Sequence, residues 1–222
     1  MRTLLVGLAL ALGFGVAGAQ SLSEADIDSL SRSAATIMAD QINRSVAGLQ
    51  GAGVTVNDSI FNEALICGLR GQDTGFNIVE AGKFIEKIMS RLYEEYVAKQ
   101  KAFLTEMAAV KGAKTYPSGI IIITEKAGSG PNPTAEQRVK LNYVGRLSDG
   151  KEFDNTNGEA VTFKVSDLVP GFTEGLLNMQ AGGTYRLIIP AEKAYGSRGA
   201  GGGVIPGDSA LDFTITMLSI EQ

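Results

Sequence analysis

The chain has 222 residues, a formal net charge of -4, no histidine and a single cysteine. This length allows one large domain or two small ones, and the mild negative charge gives no basic surface for nucleic acid. The lack of histidine excludes serine–histidine–aspartate triads, and with one cysteine it excludes zinc sites of the usual ligand count. We therefore expect no metal, no cofactor and no nucleic-acid partner.

Residues 1–19 have the pattern of an export signal. Arg2 carries the positive charge, residues 4–16 are apolar, and the Ala-Gly-Ala sequence at residues 17–19 suits a cleavage site. The alternative is an uncleaved membrane anchor, although the apolar run is shorter than the ~20 residues that a spanning helix needs. We expect cleavage after Ala19 and a periplasmic location, which also suits an exported chain without paired cysteines.

The next segment, residues 20–76, has helical periodicity. Ser23 and Asp26 are spaced as a capping box, and apolar residues follow at helical spacing until a glycine-rich break at residues 48–57. A second helix is predicted at residues 58–69, with apolar stripes on two sides.

Cys67 lies on one of these stripes together with Ile60 and Ala64. This spacing favours a core cysteine, and the alternative is a redox or intermolecular role.

A long helix is predicted to begin at Asn77 and Glu80 and to end near residue 111, making it about 50 Å long. Residues 77–112 would thus connect the helical segment to the rest of the chain. A segment this short leaves much of its apolar surface uncovered, so we expect a homodimer through the N-terminal helices. The alternative is that the segment folds back on itself or on the C-terminal domain.

Beyond residue 119 the apolar period changes from helical to alternating. Short strands are separated by turn sequences such as Ser148-Asp149-Gly150, and one short helix is predicted among them. These elements predict a compact α+β unit with strands at 120–123, 139–143, 161–165, 184–189 and 211–217 and a helix at 171–179.

This C-terminal segment also contains several aromatic residues, one well-placed acid, Asp154, and a glycine-rich loop at residues 196–207. Considered separately, the aromatic residues could simply be core, Asp154 could be a turn residue that binds local amides, and Tyr195 could be a structural corner tyrosine. The glycine-rich loop lacks the Gly-Lys-Ser/Thr sequence and the strand-to-helix context of a phosphate-binding loop, so we reject that reading.

A set of spaced motifs links these features. They are Val139-x-Leu-x-Tyr143-Val-Gly145-x-Leu147, Asp149-Gly-x-x-Phe153-Asp154, Val169-Pro-Gly171-Phe172-x-Glu-Gly175, Ile189-Pro190, Ala194-Tyr195-Gly196, Val204-Ile205-Pro206 and Leu211-x-Phe213. Through them, residues 115–222 resemble an FKBP-type peptidyl-prolyl cis-trans isomerase domain. The helical first half with its long stem is similar to that of the macrophage-infectivity-potentiator and FkpA-like periplasmic branch.

The resemblance implies an α+β protein with four segments. An N-terminal signal peptide at residues 1–19 precedes an all-α dimerisation domain at residues 20–76. A long stem helix at residues 77–112 then leads to an FKBP-like domain at residues 115–222, in which an antiparallel β-sheet wraps around a short helix.

The resemblance also implies roles for individual residues. Phe172 matches the floor of the substrate pocket, which is usually a tryptophan. Tyr195 matches the hydroxyl that bonds a substrate carbonyl, and Asp154 matches the carboxylate that faces the twisting amide. The remaining substrate-binding positions are Tyr143, Phe153, Leu168, Val169, Val204, Ile205 and Phe213.

Besides Phe172, three positions depart from the family pattern. Val161 stands where an aromatic residue is common, Ala200 replaces an occasional histidine, and Gly207 replaces a common proline. We expect these changes to affect affinity and substrate preference more than the fold.

The implied reaction is the rotation of prolyl peptide bonds in unfolded or nascent exported proteins. It needs no proton transfer, because an apolar pocket that strips water from the amide carbonyl favours the twisted, less polar state over the resonance-stabilised one. A chain without histidine can therefore catalyse this rotation. The alternative is a periplasmic holdase-type chaperone or binding module with weak or no isomerase turnover.

Overall fold

The computed structural model describes residues 23–51 and 54–221, so the predicted export signal lies outside the described residues. The chain divides between Ile85 and Glu86 into two compact units, and the division falls within the long helix. None of the helices in the described ranges is long and apolar enough to cross a membrane. The segment boundaries at residues 76 and 112 remain predictions.

The first unit consists of helices whose starts follow the predicted caps. The carboxylate of Asp26 accepts hydrogen bonds from the backbone N–H and hydroxyl of Ser23, and the side chain of Asn77 accepts from the backbone N–H of Glu80 at 2.9 Å. These bonds satisfy amides that have no partner within the first helical turn. The helices of the chain up to this point are α1 (Glu24–Gly51), α2 (Asp58–Leu69) and α3 (Ile78–Ala108).

The long helix α3 ends three residues before the predicted end at residue 111. Its last residue is Ala108, after which the N–H of Val110 bonds to the carbonyl of Met107 in a tighter turn. Gly112 then adopts a left-handed φ of 86°, a conformation that favours glycine and directs the chain out of the helix.

No residue in the described part of the first unit is buried. Cys67, predicted as a core residue, is only half-buried, and Ile60 is 64% exposed. Apolar side chains therefore remain accessible on all three helices of this unit within the single chain.

The second unit is built on one antiparallel sheet of seven strands in the order β1-β2-β6-β7-β3-β4, with β5 also paired to β3. This arrangement agrees with the predicted α+β class and with a sheet wrapped around a short helix. The strands are β1 (Ala113–Thr115), β2 (Ile121–Lys126), β3 (Arg138–Leu147), β4 (Glu152–Asn155), β5 (Val161–Lys164), β6 (Thr184–Ile189) and β7 (Leu211–Glu221), and the helix is α4 (Pro170–Leu177).

The sequence pattern predicted five of these strands and missed β1 and β4. The missed strands contain three and four residues and only one apolar residue each, so they show no apolar alternation. Each exists because a longer neighbour supplies its hydrogen bonds, β2 for β1 and β3 for β4.

The two faces of the sheet carry separate apolar clusters. The inner face packs against α4, and its cluster includes Leu141, Leu187 and Ile215, all fully buried. The outer face packs against the C-terminal end of α3 through Met107 and Ile188. Because successive side chains of a strand point to opposite faces, the same strands contribute apolar residues to both clusters.

Helix α4 lies very close to strand β6. A Cβ atom on Gly171 would lie 2.3 Å from Ile189, and one on Gly175 would lie 2.5 Å from Leu187. The two glycines are four residues apart and so lie on the same helix face. Their missing side chains allow the backbone of α4 to approach the sheet, which brings Phe172 into the core.

We predict that Gly175→Ala destabilises the second unit by about 1–3 kcal/mol, because the added methyl group overlaps Leu187. The six tyrosines all lie in this unit and the chain has no tryptophan, so tyrosine fluorescence during urea unfolding measures it. In a Leu187→Ala background the methyl group has space, and the cost of Gly175→Ala should fall. An equal cost in both backgrounds would contradict this packing.

Candidate active site

Four aromatic side chains of the predicted pocket form one edge-to-face cluster around Phe213. The ring centroid of Phe213 lies 4.9 Å from that of Phe172, 5.6 Å from Phe153 and 6.0 Å from Tyr143, with interplanar angles of 81°, 89° and 61°. Such arrangements place the positive edge of one ring on the negative face of the next. Strands β3, β4 and β7 and helix α4 each contribute one ring, so the cluster joins four elements.

Gly145 on β3 creates the space for two of these rings. A Cβ atom at this position would lie 2.8 Å from Phe153 and 2.8 Å from Phe213. Gly145 also pairs directly with Phe213 on one side and with Asp154 on the other. Gly145 belongs to one of the sequence motifs, but its role depends on neighbours across the sheet that no local pattern reveals.

An irregularity in the pairing of β4 accounts for the positions of Phe153 and Asp154. Asp154 pairs with Gly145 and Glu152 pairs with Arg146, so one residue of β4 is extra at this point. Consecutive residues of a regular strand face opposite sides of the sheet, whereas a bulge re-aims a side chain. Here both side chains reach the same cluster, Phe153 through Phe213 and Asp154 through Tyr143.

Tyr143 and Asp154 form a polar pair beside the aromatic cluster. The hydroxyl of Tyr143 donates to Oδ2 of Asp154 at 2.5 Å. Burial, this hydrogen bond and the negative charge of Asp154 raise the pKa of Tyr143 well above its usual value near 10, so the phenol remains a neutral donor at physiological pH. In the turn that follows β4, the backbone N–H of Asn157 donates to the side chain of Asn155.

Tyr195 lies at the accessible edge of this group. It is 39% exposed, and the preceding residue, Ala194, packs against the main cluster. The hydroxyl of the buried Tyr185, by contrast, accepts the N–H of Gln180 and donates to the Gln180 carbonyl. The hydroxyl of Tyr195 can therefore reach a ligand from an exposed position.

The glycine-rich loop forms a closed turn next to Tyr195. The N–H of Ala200 donates to the carbonyl of Ile205 at 2.9 Å, and the N–H of Ile205 donates back at 3.1 Å. Ile205 is buried in the main cluster, whereas Val204 is 48% exposed at the tip of the turn. The structure thus joins Ile205 to the aromatic group but leaves Val204 outside it.

Leu168 and Val169 lead into α4 and pack against the same cluster, half-buried. The carbonyl of Val169 accepts the N–H groups of Phe172 and Thr173 at 2.9 and 3.0 Å, and Pro170 occupies the first helical position, where its missing N–H costs nothing. This start of the helix fixes Val169 beside Phe172.

Comparison with known proteins identifies the family. Residues 130–218 match the family model described as FKBP-type peptidyl-prolyl cis-trans isomerase. A relative from Neisseria meningitidis, described as a probable FKBP-type peptidyl-prolyl cis-trans isomerase FkpA, is 33% identical over 196 residues, which cover 82% of this chain and 72% of the relative. The chain belongs to the FKBP-type peptidyl-prolyl cis-trans isomerase family.

Other family members align over different lengths. The FkpA protein of Escherichia coli K12 is 42% identical over 126 residues, which cover 56% of this chain but 46% of the relative. The chain thus matches about half the length of that relative. The crystal structure of FkpA from Escherichia coli superimposes with a TM-score of 0.60 at 27% identity, covering 90% of this chain and 97% of that one.

Two departures from the family pattern have a visible local setting in the structure. Phe172, at a position where the family usually has tryptophan, is 5% exposed and packs edge-on against Phe213. Gly207, which replaces a common proline, lies so close to Ser197 that a Cβ atom would be 2.2 Å from the Ser197 carbonyl oxygen. In this chain the loop backbone therefore accommodates only glycine at residue 207.

Phe163 is a further aromatic residue beside this cluster, and it was not among the predicted site residues. Its ring centroid lies 6.3 Å from that of Tyr143, and it faces Val139 across β3 and β5. The apolar alternation of residues 161–165 predicted a strand, but it did not predict that this strand pairs with β3. Pairing with β3, rather than any pattern within β5, brings Phe163 to the tyrosine.

We predict that Asp154→Asn lowers the pKa of Tyr143, because removing the adjacent negative charge makes ionisation of the phenol easier. The pKa should stay above the usual value near 10, since burial, the largest cause of the shift, remains. NMR titration with ring-labelled tyrosine measures the change.

Asp149→Asn is the matched control. This carboxylate accepts the N–H of Lys151 in the adjacent turn, so its neutralisation should leave the pKa of Tyr143 unchanged. A pKa of Tyr143 that is the same in the wild type and in Asp154→Asn would disprove the coupling.

Proposed function

We propose that this protein is a peptidyl-prolyl cis-trans isomerase that assists the folding of exported proteins. The observation that supports this most directly is the combination of an aromatic cluster around Phe213 with two polar groups at its edge, the exposed phenol of Tyr195 and the oriented carboxylate of Asp154. The substrate would be a proline-containing segment of an unfolded or nascent chain.

The proposed mechanism lowers a barrier that comes from amide resonance, ~18–20 kcal/mol. Resonance concentrates negative charge on the carbonyl oxygen, and water bonded there stabilises the planar amide. The rings of Phe172, Phe213 and Phe153 would surround the prolyl ring and displace this water. The planar ground state then loses more solvation than the twisted state, so the barrier falls.

The polar residues would add selective stabilisation of the twisted state. Tyr195 would donate its hydroxyl to a substrate carbonyl, and Asp154 would face the twisting amide. Because Tyr143 bonds to Oδ2 of Asp154, the carboxylate keeps one orientation without a reorganisation step. A ten-thousandfold acceleration requires only ~5–6 kcal/mol, which desolvation and one or two oriented hydrogen bonds can supply.

We predict that Tyr195→Phe and Asp154→Leu each lower kcat/KM for a short X-Pro peptide by about ten- to hundredfold, the loss that corresponds to one hydrogen bond of ~1.5–3 kcal/mol. A protease-coupled assay measures the rate, and far-UV circular dichroism should be unchanged. Asp149→Asn, on the neighbouring turn, is the control and should retain wild-type activity. Wild-type rates in Tyr195→Phe and Asp154→Leu would refute the assigned roles.

The alternative function is a holdase-type chaperone or binding module with weak or no turnover. The exposed apolar side chains of the first unit favour it, including Ile78 at 89% exposure and Leu69 at 60%. A wild-type protein that suppresses client aggregation but does not accelerate isomerisation would establish this alternative in place of the enzyme.

We also propose that the protein is a homodimer formed through its N-terminal helices and located in the periplasm. The described first unit has no buried residue, so its apolar faces gain a core only by meeting another surface. The export-signal pattern of residues 1–19 supports the location. A similar protein from Legionella longbeachae, 38% identical over 131 residues, carries the name outer membrane protein MIP.

We predict that Ile60→Asp and Leu69→Asp shift the full chain from dimer to monomer, because a charge at an apolar interface must be desolvated. Sedimentation velocity at micromolar concentration measures the mass. Glu63→Ala, on the same helix at an exposed polar position, should leave the dimer intact. A monomer mass for the wild type would exclude the dimer altogether.

A further inference from the structure

The helix α3 binds the end of the glycine-rich loop through three side chains. The hydroxyl of Tyr93 donates to Asp208 at 2.7 Å, and the hydroxyls of Tyr96 and Ser209 share a hydrogen bond of 2.6 Å. The next contact follows directly, because Oε1 of Gln100 accepts the backbone N–H of Ala210 at 3.1 Å. Tyr93, Tyr96 and Gln100 are spaced at i, i+3 and i+7, which places them on one helix face.

Two of the residues that α3 holds, Asp208 and Ser209, also bond to the loop itself. The N–H of Asp208 donates to the carbonyl of Gly196 at 2.9 Å, and Gly196 directly follows Tyr195. The hydroxyl of Ser209 also donates to the carbonyl of Pro206 at 2.7 Å, and Pro206 directly follows Ile205. One bond therefore anchors the backbone next to the proposed donor, and the other anchors the backbone next to a pocket wall.

The burial of Gln100 and Ser209 and the backbone conformation of Asp208 indicate that these contacts stabilise the folded structure. Gln100 and Ser209 are 6% and 3% exposed, and buried polar groups require hydrogen-bonding partners. Asp208 has a φ of 59°, a left-handed conformation that non-glycine residues seldom adopt. Surrounding contacts must hold such a residue in place, and Tyr93 and Gly196 provide them.

We propose that Tyr93, Tyr96 and Gln100 are positioning residues for the substrate pocket. By fixing residues 208–210, they hold the loop at residues 196–207 closed and keep Tyr195 and Ile205 in register with the aromatic cluster. The part of α3 that carries them belongs functionally to the catalytic domain. The effect on catalysis rests on the proposed isomerase function, whereas the effect on the loop does not.

Amide hydrogen exchange on the full chain tests the loop directly. Tyr96→Phe removes one hydroxyl, and Gln100→Met removes the acceptor for Ala210 while retaining a similar shape. Each should lower the protection of the Ala200 and Ile205 amides by about three- to tenfold, the effect of one lost hydrogen bond. Protection of the amides in the β6–β7 pairs should remain at the wild-type level.

Tyr116→Phe is the matched control, because it removes a phenol hydroxyl of the same unit that takes no part in the bonds to residues 208–210. It should change the protection of neither the loop amides nor the β6–β7 amides. Unchanged protection of Ala200 and Ile205 in both test variants would overturn the proposal. Equal losses at the loop and at the β6–β7 amides would overturn it too, because they would indicate that the helix contacts act on global stability alone.

Isomerase kinetics with a short X-Pro peptide test the consequence for catalysis. Tyr96→Phe and Gln100→Met should raise KM and lower kcat/KM by about two- to tenfold, because displacement of the Tyr195 hydroxyl weakens one hydrogen bond to the substrate. Unchanged kinetics alongside lost loop protection would overturn the positioning role. A wild type without isomerase activity would refute the proposed function, and the exchange result would still decide whether α3 holds the loop.

Discussion

The close approach of helix α4 to strand β6 is the constraint on which the second unit depends. Gly171 and Gly175 leave no side chain between the helix backbone and the side chains of Ile189 and Leu187. The helix can therefore lie against the sheet and bring Phe172 to Phe213. Larger residues at either glycine would lift the helix away and open the centre of the aromatic cluster.

The site divides into a part built on the sheet and a part built on a loop. Tyr143, Phe153, Asp154 and Phe213 lie on paired strands, where backbone hydrogen bonds and the space above Gly145 fix their positions. Tyr195 and Ile205 belong to the glycine-rich segment, whose own hydrogen bonds form a closed turn. Precise placement of Tyr195 therefore depends on what restrains that segment, and in this chain α3 bonds to the residues that follow it.

The two units differ in how they bury apolar surface. The second unit has a continuous core on the inner face of the sheet and a smaller one beneath α3. It therefore buries its apolar side chains within one chain. The first unit has helices of the predicted type and nearly the predicted length, but none of its described residues is buried. Helical periodicity identifies an apolar stripe without identifying the surface that covers it.

The sequence by itself determined the elements with clear periodicity, the α+β class and the family, because apolar spacing, caps and turn residues act locally. It also identified Tyr143, Phe172, Phe213 and Ile205 as neighbours through the family resemblance. Only the tertiary structure decided the short strands β1 and β4, the bulge that turns both Phe153 and Asp154 toward the site, and the space that Gly145 leaves for the rings. These features arise from pairing between residues far apart in the chain, and no local pattern records which residues will meet.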